Sequence, residues 1–139
     1  MRTGYVVFAH GSSVESANEA VRKVAAEMAR KGNLEPVVAA FLEGGRPNLM
    51  EAISNIAGQG VARVVVAPYF LTLGLHLQRD LPVLIEEAKK AHRGLEIEVT
   101  APLDGHPAMI EALLDRVAGS IETPVEETPV EGPPAAERR

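Results

Sequence analysis

The chain contains no cysteine. Disulfides, thiolate zinc sites and protein-held iron–sulfur clusters are therefore excluded, and a reducing, cytoplasmic location is the expectation. Aromatic residues make up only 4% of the sequence, too few to build stacking platforms for bases. The net charge is −5 and no basic stripe occurs, so nucleic acid is not an expected partner. No apolar run reaches membrane-spanning length, and no membrane association is expected. Met1-Arg2-Thr3-Gly4 lead directly into a short apolar run, without the basic segment, longer apolar segment and cleavage site of a signal peptide. GxGxxG, Walker A, HExxH and G-x-S-x-G motifs are all missing, so nucleotide-driven chemistry has no motif to support it.

What is present is a regular alternation of strand and helix patterns. The length of 139 residues, with 46% hydrophobic and 24% charged residues, suits one globular domain. Residues 4–9, 35–42, 62–71 and 95–102 read as strands. The last of these alternates Leu95, Ile97, Val99 and Ala101 with polar residues, as a half-exposed edge strand does. Helical spacing covers 14–31 through Ala17, Val21, Val24, Ala25 and Met28. A second helix opens at Pro47, a third runs from about Leu77 to His92, and a fourth runs from Pro107 to about Gly119. The fourth carries Met109, Ile110, Leu113, Leu114 and Val117 as a stripe expected to be buried. The order βαβαβαβα implies a four-stranded parallel sheet flanked by helices on both faces. The domain is expected to span residues 1–121. Residues 122–139, rich in proline and glutamate, read as a disordered tail.

Three strands end in residues that carry chemistry. His10-Gly11-Ser12-Ser13 follow the first, Glu43-Gly44-Gly45-Arg46 the second, and Gly74-Leu75-His76 the third. The carboxyl edge of an open parallel sheet is where such folds bind ligands. Two imidazoles and a carboxylate there suit a divalent transition metal. His10 taken alone is equally well a local strand-end cap. Ser12 and Ser13 present hydroxyls and backbone N–H groups at a helix start, suited to carboxylates and equally to capping. Leu73, Leu75 and Leu77 make the loop around His76 apolar, so it reads as a pocket wall or an oligomer contact. Asp80, four residues on, is placed to support the His76 imidazole or simply to sit near a helix N-terminus. Gly44-Gly45 suggest a loop that moves over a ligand, with Arg46 on it to pair with a carboxylate. His92 is explained by a helix C-terminus. His106 either lines the edge or starts the fourth helix.

These pieces, taken together and in order, resemble one family. Ala9-His10-Gly11-Ser12, Phe41-Leu42-Glu43 with Pro47-Leu49-Glu51-Ala52, Pro68-Tyr69-Phe70-Leu71, Gly74-Leu75-His76 with Asp80-Leu81-Pro82, and Pro102-Leu103 with His106-Pro107 carry the likeness across about residues 4–118. The family is that of the class II tetrapyrrole chelatases, in particular the small single-domain sirohydrochlorin cobaltochelatases of the CbiX type. Ser13 stands where the family often has arginine, and Leu75-His76 where it often has paired histidines. The resemblance implies a single flavodoxin- or Rossmann-like α/β domain that inserts a divalent metal into sirohydrochlorin without ATP, in cobalamin biosynthesis. It implies a homodimer enclosing the macrocycle. His10 and His76 would hold the metal, and Glu43 would take protons or ligate. Ser12, Ser13, Arg46, Gly74 and Leu75 would contact substrate, with Asp80 behind His76. No permanently bound cofactor is implied. The metal is a substrate, cobalt first, with nickel or ferrous iron as alternatives. A non-catalytic tetrapyrrole or metal carrier is the competing reading, and an interaction module recruiting partners through its tail is a more distant one.

Overall fold

Strand β1 (Thr3–Ala9) is buried on both faces, which is what a central strand of a covered parallel sheet requires. Side chains alternate along a strand. Val6 and Phe8 therefore enter one core, and Val7 and Ala9 enter another. In the computed structural model, which describes residues 2–122, β1 pairs in parallel with β2 (Val37–Phe41) on one side and β3 (Arg63–Pro68) on the other. β4 (Glu96–Val99) pairs with β3, giving the order β2-β1-β3-β4. Ile97 is buried while Glu96 and Glu98 face outward, as the alternation predicts for an edge.

Helix α1 (Glu15–Gly32) lays Val21, Ala25 and Met28 on Val7, Ala9, Ala39 and Phe41. It stops at Asn33, whose left-handed backbone (φ 52°) ends the helix. Helices α2 (Leu49–Ala57) and α3 (Leu75–Ala91) cover the opposite face, with Ile53, Ile56, Leu81 and Ile85 among Val6, Phe8, Val64 and Val66. α2 opens on a reciprocal capping box between Asn48 and Glu51. α3 begins two residues before the helical spacing suggests, so His76 lies in its first turn rather than in a loop. Gly74 caps it, its carbonyl accepting from the Gln78 N–H while the Gln78 side chain closes onto the Leu73 carbonyl. Pro82 sits inside α3, where it has no N–H to give to the carbonyl of Gln78.

The chain after β1 leaves toward the α1 face, and the chain after β3 leaves toward the α3 face. Adjacent strands with diverging connections open a crevice at their carboxyl ends. His10 and the segment leading to His76 flank that crevice.

The chain divides at Asp104, and a second unit starts at Gly105. It contains α4 (Pro107–Glu122). His106 starts this helix, its Nδ1 accepting from the Ala108 N–H at 3.0 Å. Ile110, Leu113, Leu114 and Val117 were expected to be buried, but they are exposed. An amphipathic helix taken by itself has no second surface to bury such a stripe. Glu122 closes α4; the rest of the tail read from the sequence, residues 123–139, lies outside the described residues. Among the described residues no helix is long and apolar enough to cross a membrane.

Candidate functional site

The β1–β2 ladder continues past the ends of both strands. The Leu42 N–H donates to the Ala9 carbonyl and the Glu43 N–H to the His10 carbonyl, each at 2.9 Å. Glu43 is thereby fixed beside His10. Their side chains meet, with His10 Nε2 at 3.6 Å from Glu43 Oε1. Both are open to solvent, at 60% and 71% exposure. His10 Nδ1 lies 3.1 Å from the Gly11 carbonyl. With Nδ1 donating there, Nε2 keeps the lone pair that a metal requires. Two donors bound at about 2.1 Å to one ion sit about 3 Å apart, so the pair is close to a preformed bidentate site.

Close backbone packing makes this possible. Gly11 has φ +90°, and a Cβ there would lie 1.7 Å from the Glu43 carbonyl oxygen. No other residue allows the two loops to touch. The Gly44-Gly45 loop, expected to move over a ligand, is instead held down. A Cβ on Gly44 would press on the backbone of Ser12, and one on Gly45 would meet Asn18 and the Phe41 ring. The Gly44 carbonyl accepts from Asn18 Nδ2 at 3.0 Å. The glycines serve close packing here, not mobility.

Several sequence-derived assignments look different in three dimensions. The Ser12 N–H, offered as a donor to substrate, points inward to Asn18 Oδ1 at 2.9 Å. Ser12 Oγ accepts from the Val14 N–H, so it shapes the loop ahead of α1. Ser13 is exposed. The exposed Arg46 guanidinium pairs with Glu51, the α2 capping residue. His76 Nδ1 faces Arg79 Nη2 at 3.1 Å. Asp80 contacts Arg79 Nε at 3.5 Å, so its link to the imidazole runs through that arginine. Gly74 caps α3, and Leu75 is 82% exposed. Among the described residues no three His, Asp or Glu side chains gather as a metal cluster. The structure brings His10 and Glu43 together but does not add His76. That residue rides a helix leaving on the opposite face, with its Nδ1 turned to the next helical turn.

Sequence reasoning passed over two residues of α1. Arg22 lies 5.3 Å over the Phe41 ring, pairs with Glu15 and Glu19, and donates to the Arg46 carbonyl. That guanidinium, followed by the Asn18 amide, holds the Glu15 carboxyl below the usual glutamate range. Asn18 is buried beneath both loops. The readable signal was a polar residue seven before Ala25, on the core-facing stripe of α1. Val14, Leu42, Tyr69, Leu71 and Leu75, which follow the carboxyl ends of β1, β2 and β3 in the chain, are exposed apolar residues.

A parallel sheet with an imidazole–carboxylate pair at the carboxyl ends of its first two strands, beside a switch point, defines an α/β protein built to handle a small ligand there. Known proteins place it more closely. The CbiX family model matches residues 4–120, and the chain belongs to the CbiX family. It is 31% identical over 123 residues to the sirohydrochlorin cobaltochelatase of Methanococcoides burtonii, covering 83% of this chain and 94% of that one. It is 32% identical over 114 residues to the chloroplastic sirohydrochlorin ferrochelatase of Arabidopsis thaliana, covering 82% of this chain and 51% of that protein. The crystal structure of the CbiX protein from Marinobacter aquaeolei VT8 superposes with a TM-score of 0.77 at 31% identity, over 86% of this chain and 98% of that one. The sirohydrochlorin chelatase SirB from Bacillus subtilis subspecies spizizenii, solved in complex with cobalt, shares the fold with a TM-score of 0.78 at 20% identity. That match covers 85% of this chain and 50% of SirB.

Proposed function

We propose that this protein is an ATP-independent chelatase that inserts a divalent metal, cobalt by preference, into sirohydrochlorin. The observation that carries the reading is the His10–Glu43 pair, an imidazole nitrogen 3.6 Å from a carboxylate oxygen at the carboxyl edge of a CbiX-family sheet. Imidazole and carboxylate both bind Co²⁺, Ni²⁺ and Fe²⁺. Two donors leave the ion's other positions to water and to the incoming ring nitrogens. That suits an ion in transit better than one held permanently, and no resident cofactor belongs to this reading.

Chemistry at the pair follows from its composition. The metal arrives as substrate and loses water to His10 Nε2 and Glu43. The macrocycle gives up two pyrrole N–H protons as four ring nitrogens take the ion. Glu43, released from the metal, accepts a proton as a general base, and His10 accepts the other. The exposed apolar side chains after the strand ends, Leu42, Leu71 and Leu75 among them, would supply apolar contact to a flat macrocycle. Ser13, exposed on the first loop, and Arg46, on release from Glu51, are the groups that would meet its carboxylates. His76, with Arg79 on its Nδ1, approaches the metal through Nε2 once the macrocycle is bound. A second copy of the chain closes the site from the other side as a homodimer, and the enzyme works in the cytoplasm.

The test is metallation of sirohydrochlorin followed by absorbance, with cobalt, nickel and ferrous iron in parallel against enzyme-free controls. Acceleration is expected, greatest with cobalt. His10→Ala and Glu43→Gln are each expected to lower kcat/KM by about 10²-fold or more, the scale of a lost acid–base group. Stoichiometric binding without acceleration by any metal would make the protein a carrier instead.

A further inference from the structure

Asn18 is the one buried polar side chain among the described residues, 1% exposed in the first turn of α1, at the N-terminal end of the face that carries Val21, Ala25 and Met28. Such a residue is costly unless fully bonded. Here it is fully bonded, and to two different loops. Its Oδ1 accepts from the Ser12 N–H at 2.9 Å. Its Nδ2 donates to the Ser12 carbonyl at 2.9 Å and to the Gly44 carbonyl at 3.0 Å. The Glu15 carboxylate lies at 3.4 Å from the same nitrogen. Ser12 is two residues beyond His10, and Gly44 directly follows Glu43. One carboxamide therefore ties the loop carrying the imidazole to the loop carrying the carboxylate, from below, without reaching the site itself.

We infer that Asn18 is a positioning residue that sets the spacing of His10 and Glu43. The inference rests on the proposed reading of that pair as the place where the metal enters. A donor–acceptor side chain is needed because the two loops present unlike groups: an N–H and a carbonyl from Ser12, a carbonyl from Gly44. Leucine has similar bulk and makes none of these bonds. Aspartate has the same shape and keeps the Ser12 N–H bond, but it cannot donate to the two carbonyls while ionised. Four residues on, Arg22 reaches the same loop through the Arg46 carbonyl at 3.3 Å. α1 thus grips the Glu43 loop at two points one turn apart.

The experiment compares wild type, Asn18→Leu, Asn18→Asp and His10→Ala. Amide hydrogen exchange reads the clasp directly. Ser12 and Glu43 amides are expected to lose protection in both Asn18 variants, while Val6 and Phe8 in the central strand keep theirs. Cobalt alone, titrated by its ligand-field absorbance, reads the pair without any tetrapyrrole. Turnover is then expected to fall about 10²-fold in kcat/KM for metal, the scale of a catalytic group displaced by about 1 Å. Much of that fall should appear as a higher KM for cobalt. Unchanged cobalt affinity and KM in a folded Asn18 variant would overturn the inference, leaving Asn18 a purely structural residue. Unchanged cobalt affinity in His10→Ala would instead overturn the metal reading of the pair, whatever Asn18 does. If Asn18→Leu fails to fold, the isosteric Asn18→Asp carries the same comparison.

Discussion

Single side chains around the first loop do several jobs at once, and their titration exposes it. Glu15 accepts from Arg22 first and from Asn18 second, and both bonds favour its ionised form. Its folded value is depressed, so the stability it contributes is present above the ordinary glutamate range. That contribution is lost as pH falls through the depressed value. An NMR titration of Glu15 should give a midpoint below that of an ordinary glutamate, and Arg22→Gln should return it toward the usual value. An unchanged midpoint in Arg22→Gln would show that the ion pair does not persist in solution. His10, Glu43 and Gly11 were legible as residues of interest because each follows an apolar run. For Asn18 the spacing signals only an inward-facing polar residue on the stripe of Val21 and Ala25; that it bonds two loops depends on where those loops run, which no linear pattern gives. The Arg79 contact to His76 was equally hidden. It depends on α3 beginning at Leu75, where glycine and leucine give no sequence signal of a cap.

At the scale of elements, the strands and helices were readable because periodicity of 2 and of 3.6 changes cleanly at each turn. Their ends were less so: β3 stops at Pro68, three residues short of the apolar run, and the Tyr69 N–H bond to the Phe8 carbonyl is the last that this run makes to β1. The α2 start is the best-specified end in the chain. Asn48 and Glu51 cap each other's backbone, and Glu51 also receives Arg46. Asn48→Ala should lower stability by about 1 kcal/mol, measured by urea unfolding. Because Arg46 and Glu43 share the loop that this cap anchors, turnover is expected to fall with it. A stability change with fully retained turnover would separate the cap from the site. The stripe of α4 shows the converse limit. Its spacing correctly gives a helix, but spacing alone does not say whether anything covers the apolar side.

At the scale of the whole molecule, the sheet and its two-sided cover were legible, while assembly of the site was not. The sequence reading placed two histidines and a carboxylate on one edge. The chain itself pairs only one histidine with the carboxylate. A site completed by a second copy predicts a dimer, and sedimentation at micromolar concentration should find one. A strict monomer that still turns over would mean that one chain suffices. The topology has a further consequence, during synthesis. β1 is made before both of its neighbours, and Tyr5 must find Val37 on one side and Val65 on the other. Until the ribosome has released β3, the strand that the finished fold buries on both faces has one row of backbone groups unpaired. Unpaired edges recruit other chains. Conditions that slow elongation between residues 42 and 63 should therefore favour inclusion bodies over soluble enzyme, without any change in the stability of the finished fold.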